Sequence, residues 1–205
     1  MKILFIDSAH PFLKKELETN GYICDEDFIS TKEQIEEKFS DYTGVILRSR
    51  ISIDRLFIDK FFLSHARRNE KKTFIARVGA GMEHIDVSYA ESKGIKCFSS
   101  PEGNRNAVAE HALGMLLSLL NTICKANHEV KSGEWIREIN RGTELEGKTM
   151  GIYGFGNTGS AFAKVLRGFD VNVLAYDKYR KNFGSNFVKE SSPEDISSNV
   201  DIVSL

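Results

Sequence analysis

Gly154-Phe155-Gly156-Asn157-Thr158-Gly159 is the stretch whose reading decides the fold. An apolar run, Met150-Gly151-Ile152-Tyr153, leads into it, and a helical pattern follows. Asp177 closes a second apolar run, Val171 to Tyr176, and stands 18 residues after Gly159. Strand, glycines, helix, second strand and terminal acid in that order are the layout of a dinucleotide-binding βαβ unit. Gly154 permits the strand-to-helix turn, Gly156 lets a pyrophosphate approach the backbone, and Gly159 lets the helix pack on the strand. Asn157 and Thr158 open a helix whose N–H groups and dipole face the phosphates. Asp177 is suited to accept ribose hydroxyls and to repel a 2′-phosphate, which favours NAD over NADP. Arg180, three residues on, softens that preference. A lone glycine hexapeptide matches many tight turns; the ordered set is what makes this one specific.

The rest of the composition narrows the class. The chain has 205 residues, enough for one large domain or two small ones. A hydrophobic content of 41% with 28% charged residues is that of an ordinary soluble globular protein. The net charge of −1 offers no basic field for nucleic acid or an anionic membrane. Cys24, Cys97 and Cys124 form no CxxC pair and suit a reducing compartment. The N-terminal apolar run breaks at Asp7, too early for a secretory signal, and Ala107 to Cys124 carries Glu110, His111 and Asn121, which spoil a membrane span. A cytoplasmic location is expected.

Periodicity places strands at Lys2–Ile6, Tyr22–Cys24, Gly44–Leu47, Thr73–Arg77 and Lys96–Phe98. Helical spacing alternates with them at Pro11–Asn20, Thr31–Ser40, Asp54–Ser64 and Val87–Lys93. Gly21 and Gly94 stand where helices should stop, and Thr31 with Gln34 forms a capping box. Repeated βα units imply an α/β fold: parallel sheets with helices on both faces. The helical pattern then runs unbroken from Asn106 to Ser132, with Leu113, Leu116, Leu117, Leu120 and Ile123 crowding most faces, so burial on several sides is expected. An irregular link, Gly133 to Gly147, follows. The expected division is 1–100, a first α/β domain; 101–147, an interdomain and dimerisation helix with its link; and 148–205, the first part of a nucleotide-binding domain.

Outside the glycine loop the candidates are ambiguous by themselves. Arg48-Ser49-Arg50 follows a strand, at the edge where open α/β sheets bind ligands; its two guanidiniums and hydroxyl either grip an anion or belong to a solvated loop. Arg77-Val78-Gly79-Ala80-Gly81 is either an anion-binding backbone loop or a plain turn. Asn104 is a helix cap or a ligand contact. His10, His65, His84, His111 and His128 have neither metal spacing nor triad partners, and Arg67-Arg68-Asn69-Glu70-Lys71-Lys72 reads as a solvated loop.

In combination, Leu47-Arg48-Ser49-Arg50, the run Arg77 to Asp86, Ser100-Pro101-Glu102-Gly103-Asn104, Val108-Ala109-Glu110-His111 and Gly142 to Thr149 into the glycine loop resemble the D-isomer-specific 2-hydroxyacid dehydrogenase family. The resemblance implies a flavodoxin-like substrate domain, an incomplete Rossmann NAD-binding domain, and homodimers formed through the long helix. It implies that Arg48, Ser49 and Asn104 contact a small anionic substrate, that Val78 and Gly79 offer N–H groups to its carboxylate, and that Gly154, Gly156, Asn157, Thr158, Gly159 and Asp177 hold NAD. Ala80 departs from a common threonine. No residue here matches the family's catalytic Glu and His, or the Arg that clamps substrate. Val200 to Leu205 reads as the fourth Rossmann strand, so these 205 residues alone are expected to be catalytically silent. The implied activity is NAD-dependent oxidation of a small D-2-hydroxy acid, with 3-phosphoglycerate favoured by the arginine pair; glyoxylate or hydroxypyruvate reduction, or a non-catalytic NAD-binding or dimerisation module, is the alternative. No metal is expected.

Overall fold

Strands that are apolar on both faces belong in the middle of a parallel sheet covered by helices, and both halves of the chain are built this way. The computed structural model describes residues 1–38, 41–66 and 73–205, the side chains of 62–66 excepted. The run Arg67 to Lys72, the side chain of His65 and the expected helix end at Ser40 therefore lie outside the described residues. The chain divides into two compact units, Met1–Gly103 and Asn104–Leu205.

In the first unit, β1 (Lys2–Phe5), β2 (Ile23–Glu26), β3 (Gly44–Leu47), β4 (Phe74–Arg77) and β5 (Lys96–Phe98) form a parallel sheet in the order β2-β1-β3-β4-β5. This is the flavodoxin-like order. Alternate residues of each strand face opposite ways. Leu4, Val45, Leu47 and Ile75 pack with Ile35 of α2 (Lys32–Lys38), Phe57, Ile58 and Phe61 of α3 (Arg55–Ala66) and Ala90 of α4 (Val87–Ser92). Ile3, Phe5 and Ile46 pack on the other side with Leu13 and Leu17 of α1 (Pro11–Thr19). The capping box at α2 is formed: Thr31 N–H donates to Gln34 Oε1 at 2.9 Å and Gln34 N–H to Thr31 Oγ1 at 3.4 Å.

The second unit holds β6 (Thr149–Tyr153), β7 (Asn172–Tyr176), β8 (Val188–Glu190) and β9 (Ile202–Ser204), parallel in the order β8-β7-β6-β9. Counted from β6, that is 3-2-1-4, the beginning of the dinucleotide-binding order. One face carries α7 (Asn157–Leu166) and α5 (Arg105–Leu120): Met150, Ile152, Val173 and Ala175 meet Phe162, Leu166, Ala109, Leu113 and Leu117. The other face carries α8 (Pro193–Asn199), whose buried Ile196 lies so near Gly151 that a Cβ there would come within 2.6 Å of it. Neither β8 nor α8 stands out by periodicity, although Ser192 and Asp195 complete a capping box at the start of α8.

The expected single helix from Asn106 to Ser132 is two helices. α5 ends at Leu120, α6 spans Ile123–Lys131, and their axes bend by 60°. Asn121 turns its side-chain amide back to Leu117 O, and Thr122 sits at φ 52°, where a β-branched residue costs energy. Thr122 Oγ1 donating to Asn140 O and Thr143 N–H donating to Leu120 O hold the corner. Apolar periodicity passes straight through such a break because the cause lies in backbone and side-chain polar bonds. Within the single chain α5 is not buried on every side: Met115 is 58% and Leu119 75% exposed. Among the described residues no single helix is long and apolar enough to cross a membrane; α5 and α6 pass that test only as the bent pair.

The loop after β2 is organised by one carboxylate. Asp27 accepts Lys38 Nζ at 2.5 Å, Ser30 Oγ at 2.7 Å and Ser30 N–H at 3.0 Å. Lys38 first, then Ser30, hold its carboxyl far below the usual range. Because the folded value is depressed, the resulting stability is present above the ordinary Asp value of 3.8 and is lost as pH falls below it. Asp27→Asn should therefore flatten the acid side of the stability profile below about pH 4, read as urea midpoints against pH. An acid limb as steep as that of the parent would contradict the assignment.

Candidate functional site

The glycine loop joins β6 to α7. Gly154 has φ 91°, outside the reach of ordinary side chains, and its N–H donates to Tyr176 O at 2.8 Å. A Cβ at Gly159 would run into Gly154 O and lie 3.2 Å from Ile152, so only glycine lets α7 start against the strand. Gly156 is the N-cap, with open space where a Cβ would stand and no side chain capping the helix. The first N–H groups of α7, on Asn157, Thr158 and Gly159, are thus left for an anion.

Asp177 follows β7 and is 8% exposed. Its Oδ1 accepts the N–H groups of Arg180 and Tyr179, both at 2.8 Å. These donors, with the Phe155 N–H adding to them, hold its carboxyl below the usual range, so it is an anion beside the glycine loop. Arg180 Nη1 donates to Phe155 O at 2.7 Å, and Phe155 stacks on Phe183 with centroids 4.6 Å apart. The cation that the sequence places near the acid is therefore strapped to the loop itself. A loop with room at Gly156, an uncapped helix start and an adjacent ionised acid fits a dinucleotide.

In the first unit a second constellation lies at the carboxyl edge, where the chain turns from β1, β3 and β4. Asp7 Oδ2 accepts the N–H groups of Arg48, Ser49 and Arg50 at 2.7, 3.2 and 3.3 Å. Arg50 spends its donors on backbone carbonyls: Nε on Ile6 O, Nη1 on Ser30 O and Nη2 on Asp27 O. It is a strap between loops, so of the two arginines in the motif only Arg48 keeps its guanidinium without a partner among the described residues; Ser49 Oγ likewise has none.

The neighbouring loop departs from expectation in its donors. Val78 N–H donates to Leu47 O at 2.8 Å and Gly79 N–H to Arg77 O at 3.0 Å, so both are spent. The N–H groups left without a partner among the described residues are those of Ala80 and Gly81. A two-residue offset of this kind is invisible in sequence, because it depends on where the β3–β4 ladder stops. Arg77 ties the two loops together: Nε donates to Arg48 O at 3.0 Å and Nη1 to Gly81 O, while Glu83 lies 3.4 Å away. The parts played by Asp7 and Arg77 are not evident from sequence; the signal for both is their place at the carboxyl end of an apolar strand, Arg77 as the last residue of β4 and Asp7 just beyond β1.

Asn104 belongs to the second unit, at the N-cap of α5, with no side-chain cap bond. His10 caps α1 by accepting Phe12 N–H at 3.2 Å. His111 lines a groove on α5 with Glu110, Gly114, Met115, Ser118 and Leu119. Among the described residues no three His, Cys, Asp or Glu side chains stand together as a metal site.

Residues 113–205 match the family model of the D-isomer specific 2-hydroxyacid dehydrogenase NAD binding domain. The chain is 35% identical over 179 residues to D-3-phosphoglycerate dehydrogenase of Methanocaldococcus jannaschii, covering 87% of this chain and 32% of that protein. To the Homo sapiens D-3-phosphoglycerate dehydrogenase it is 32% identical over 176 residues, covering 86% and 32%. It thus spans about a third of the length of these curated relatives. Among solved structures, NAD-dependent formate dehydrogenase from Staphylococcus aureus in complex with NAD superposes with a TM-score of 0.77 at 25% identity, over 100% of this chain and 65% of that one. The apo-structure of D-lactate dehydrogenase from Escherichia coli has the same fold, with a TM-score of 0.72 at 23% identity over 99% of this chain and 64% of that one. The glycine loop, the adjacent acid and these likenesses agree: residues 113–205 belong to the NAD binding domain family of the D-isomer specific 2-hydroxyacid dehydrogenases, and NAD is the cofactor.

Proposed function

We propose that this protein serves an NAD-dependent dehydrogenase acting on the CH–OH group of a small D-2-hydroxy acid, with 3-phosphoglycerate, the entry to serine biosynthesis, as substrate. The observation that carries the substrate class is the Arg48 guanidinium, without a partner among the described residues, beside Ser49 at the carboxyl edge of a flavodoxin-like sheet. Relatives named D-3-phosphoglycerate dehydrogenase support the choice of acid. A charged, planar fork suits a phosphate or carboxylate, and the N–H groups of Ala80 and Gly81 offer a second anion contact on the neighbouring loop.

The chemistry NAD would supply here is acceptance or return of a hydride at the carbon bearing the hydroxyl. The residues of this chain bind and orient. The N–H groups at the start of α7 face the pyrophosphate, Gly156 leaves it room, and ionised Asp177 accepts ribose hydroxyls and disfavours a 2′-phosphate. Three free thiols, Cys24, Cys97 and Cys124, accord with the cytoplasm as the place of work. Met115 and Leu119 line an apolar groove on α5 and are exposed, a surface suited to a second copy of the chain, which makes a homodimer the expected assembly.

Three measurements test this reading. By calorimetry the chain should bind NAD more tightly than NADP, and Asp177→Ala should reduce that discrimination about tenfold or more, the scale of one lost bond to a charged group; binding of neither nucleotide would leave no role for the loop. Titration with 3-phosphoglycerate should show Arg48→Ala weakened by about 1.5–3 kcal/mol, with glyoxylate affected much less. Equal losses for both ligands would make Arg48 a structural or carboxylate-binding residue and remove the argument for a phosphorylated substrate. In sedimentation, Leu119→Asp should convert a dimer to a monomer; a parent chain that is already monomeric would remove the dimer from the reading.

A further inference from the structure

The three consecutive N–H groups of Arg48, Ser49 and Arg50 converge as an anion-binding concavity would. In this chain the concavity already holds an anion of its own, the Asp7 carboxylate, whose Oδ2 takes all three at 2.7 to 3.3 Å. A ligand at this edge therefore meets side chains, not the amides of this loop. The direction in which the Arg48 side chain leaves the backbone is set by the loop's curl, and that curl is fixed on both sides of the residue. Its N–H is held by Asp7, and its C=O by Arg77 Nε at 3.0 Å.

An acid this close to an anion site should repel the ligand, and the structure offsets that repulsion. Arg50 Nε lies 3.9 Å from Asp7 Oδ1, and its guanidinium is anchored on Ile6 O, Ser30 O and Asp27 O, so it cannot swing away without losing three bonds. Arg77 adds a further positive charge beside Arg48 O. Asp7 contributes geometry, Arg50 cancels its charge, and Arg48 is left as the cation that a ligand meets.

We propose that Asp7 is the positioning residue of the anion site: by gathering the backbone of residues 48–50 it aims the Arg48 guanidinium. The inference rests on the reading of Arg48 as the substrate's anion contact. Its test is titration of 3-phosphoglycerate into the 205-residue chain, followed by NMR at the Arg48 side chain, for the parent, Asp7→Asn, Arg48→Ala and the double variant. The expected result is that Asp7→Asn weakens binding about tenfold, approaching Arg48→Ala, and that the double variant is no weaker than Arg48→Ala alone. The thermal midpoint and the affinity for NAD, whose site is in the other unit, should stay near those of the parent, a separation that a merely structural role would not give.

If Asp7→Asn binds like the parent while Arg48→Ala is weakened, the positioning role is wrong and the reading of Arg48 stands. Additive losses in the double variant would also overturn it, since Asp7 would then act on the ligand independently of Arg48. No binding by the parent overturns both. Should Asp7→Asn fail to fold, Asp7→Glu keeps the charge and displaces it by one methylene: weakened binding with a parental melting temperature supports positioning, and undiminished binding refutes it.

Discussion

Helix α7 can begin where it does only because residue 159 has no Cβ. Gly154 O occupies the space that any side chain at 159 would need, and Ile152 presses from the strand beneath. That single close approach brings the helix start against the end of β6. The N–H groups, the dipole and the room at Gly156 then coincide at one place. The alternation along β6 serves the same end, since Met150 and Ile152 meet α7 and α5 while Gly151 makes way for Ile196 of α8. Burial of this layer supplies the stability; the glycine contact decides what the stability holds in place.

The first unit solves a different problem, that of keeping several charges together at the end of a sheet. Each charge there has a backbone partner. Asp7 is taken up by amides, Arg50 and Arg77 by carbonyls, and Asp27 by Ser30 and Lys38. Hydrogen bonds to charged groups are the stronger ones, and these link the loops after β1, β2, β3 and β4 into one network. Arg48 is the guanidinium in this group left without a partner among the described residues, next to Ser49 Oγ and the N–H groups of Ala80 and Gly81, which are also unpartnered there.

Much of this was legible in the residues themselves. The strands of the first unit fall within a residue or two of their apolar runs, because a strand buried on both faces cannot be written in any other way. The glycine hexapeptide and Asp177 carry steric and charge demands that few residue types meet. Three things were hidden. The break at Asn121-Thr122 depends on side-chain bonds that leave hydrophobic periodicity untouched. The free donors of the β4 loop lie at Ala80 and Gly81, because the ladder to β3 runs as far as Val78. The division of labour between Arg48 and Arg50, two identical residues one position apart, is set by loops distant in sequence, at Ile6, Asp27 and Ser30.

The strap between Arg180 and Phe155 has a kinetic consequence. With that bond, the Phe155–Phe183 stack and the Lys181 contact to Asp177 O, the loop carrying the acid and the loop carrying the glycines are joined by contacts the protein makes with itself. A ligand that meets a ready-made surface forfeits little entropy to ordering it. Association should then proceed at the pace of diffusion and orientation, without waiting for a loop to close, and differences among nucleotides should appear mainly in how long each one stays.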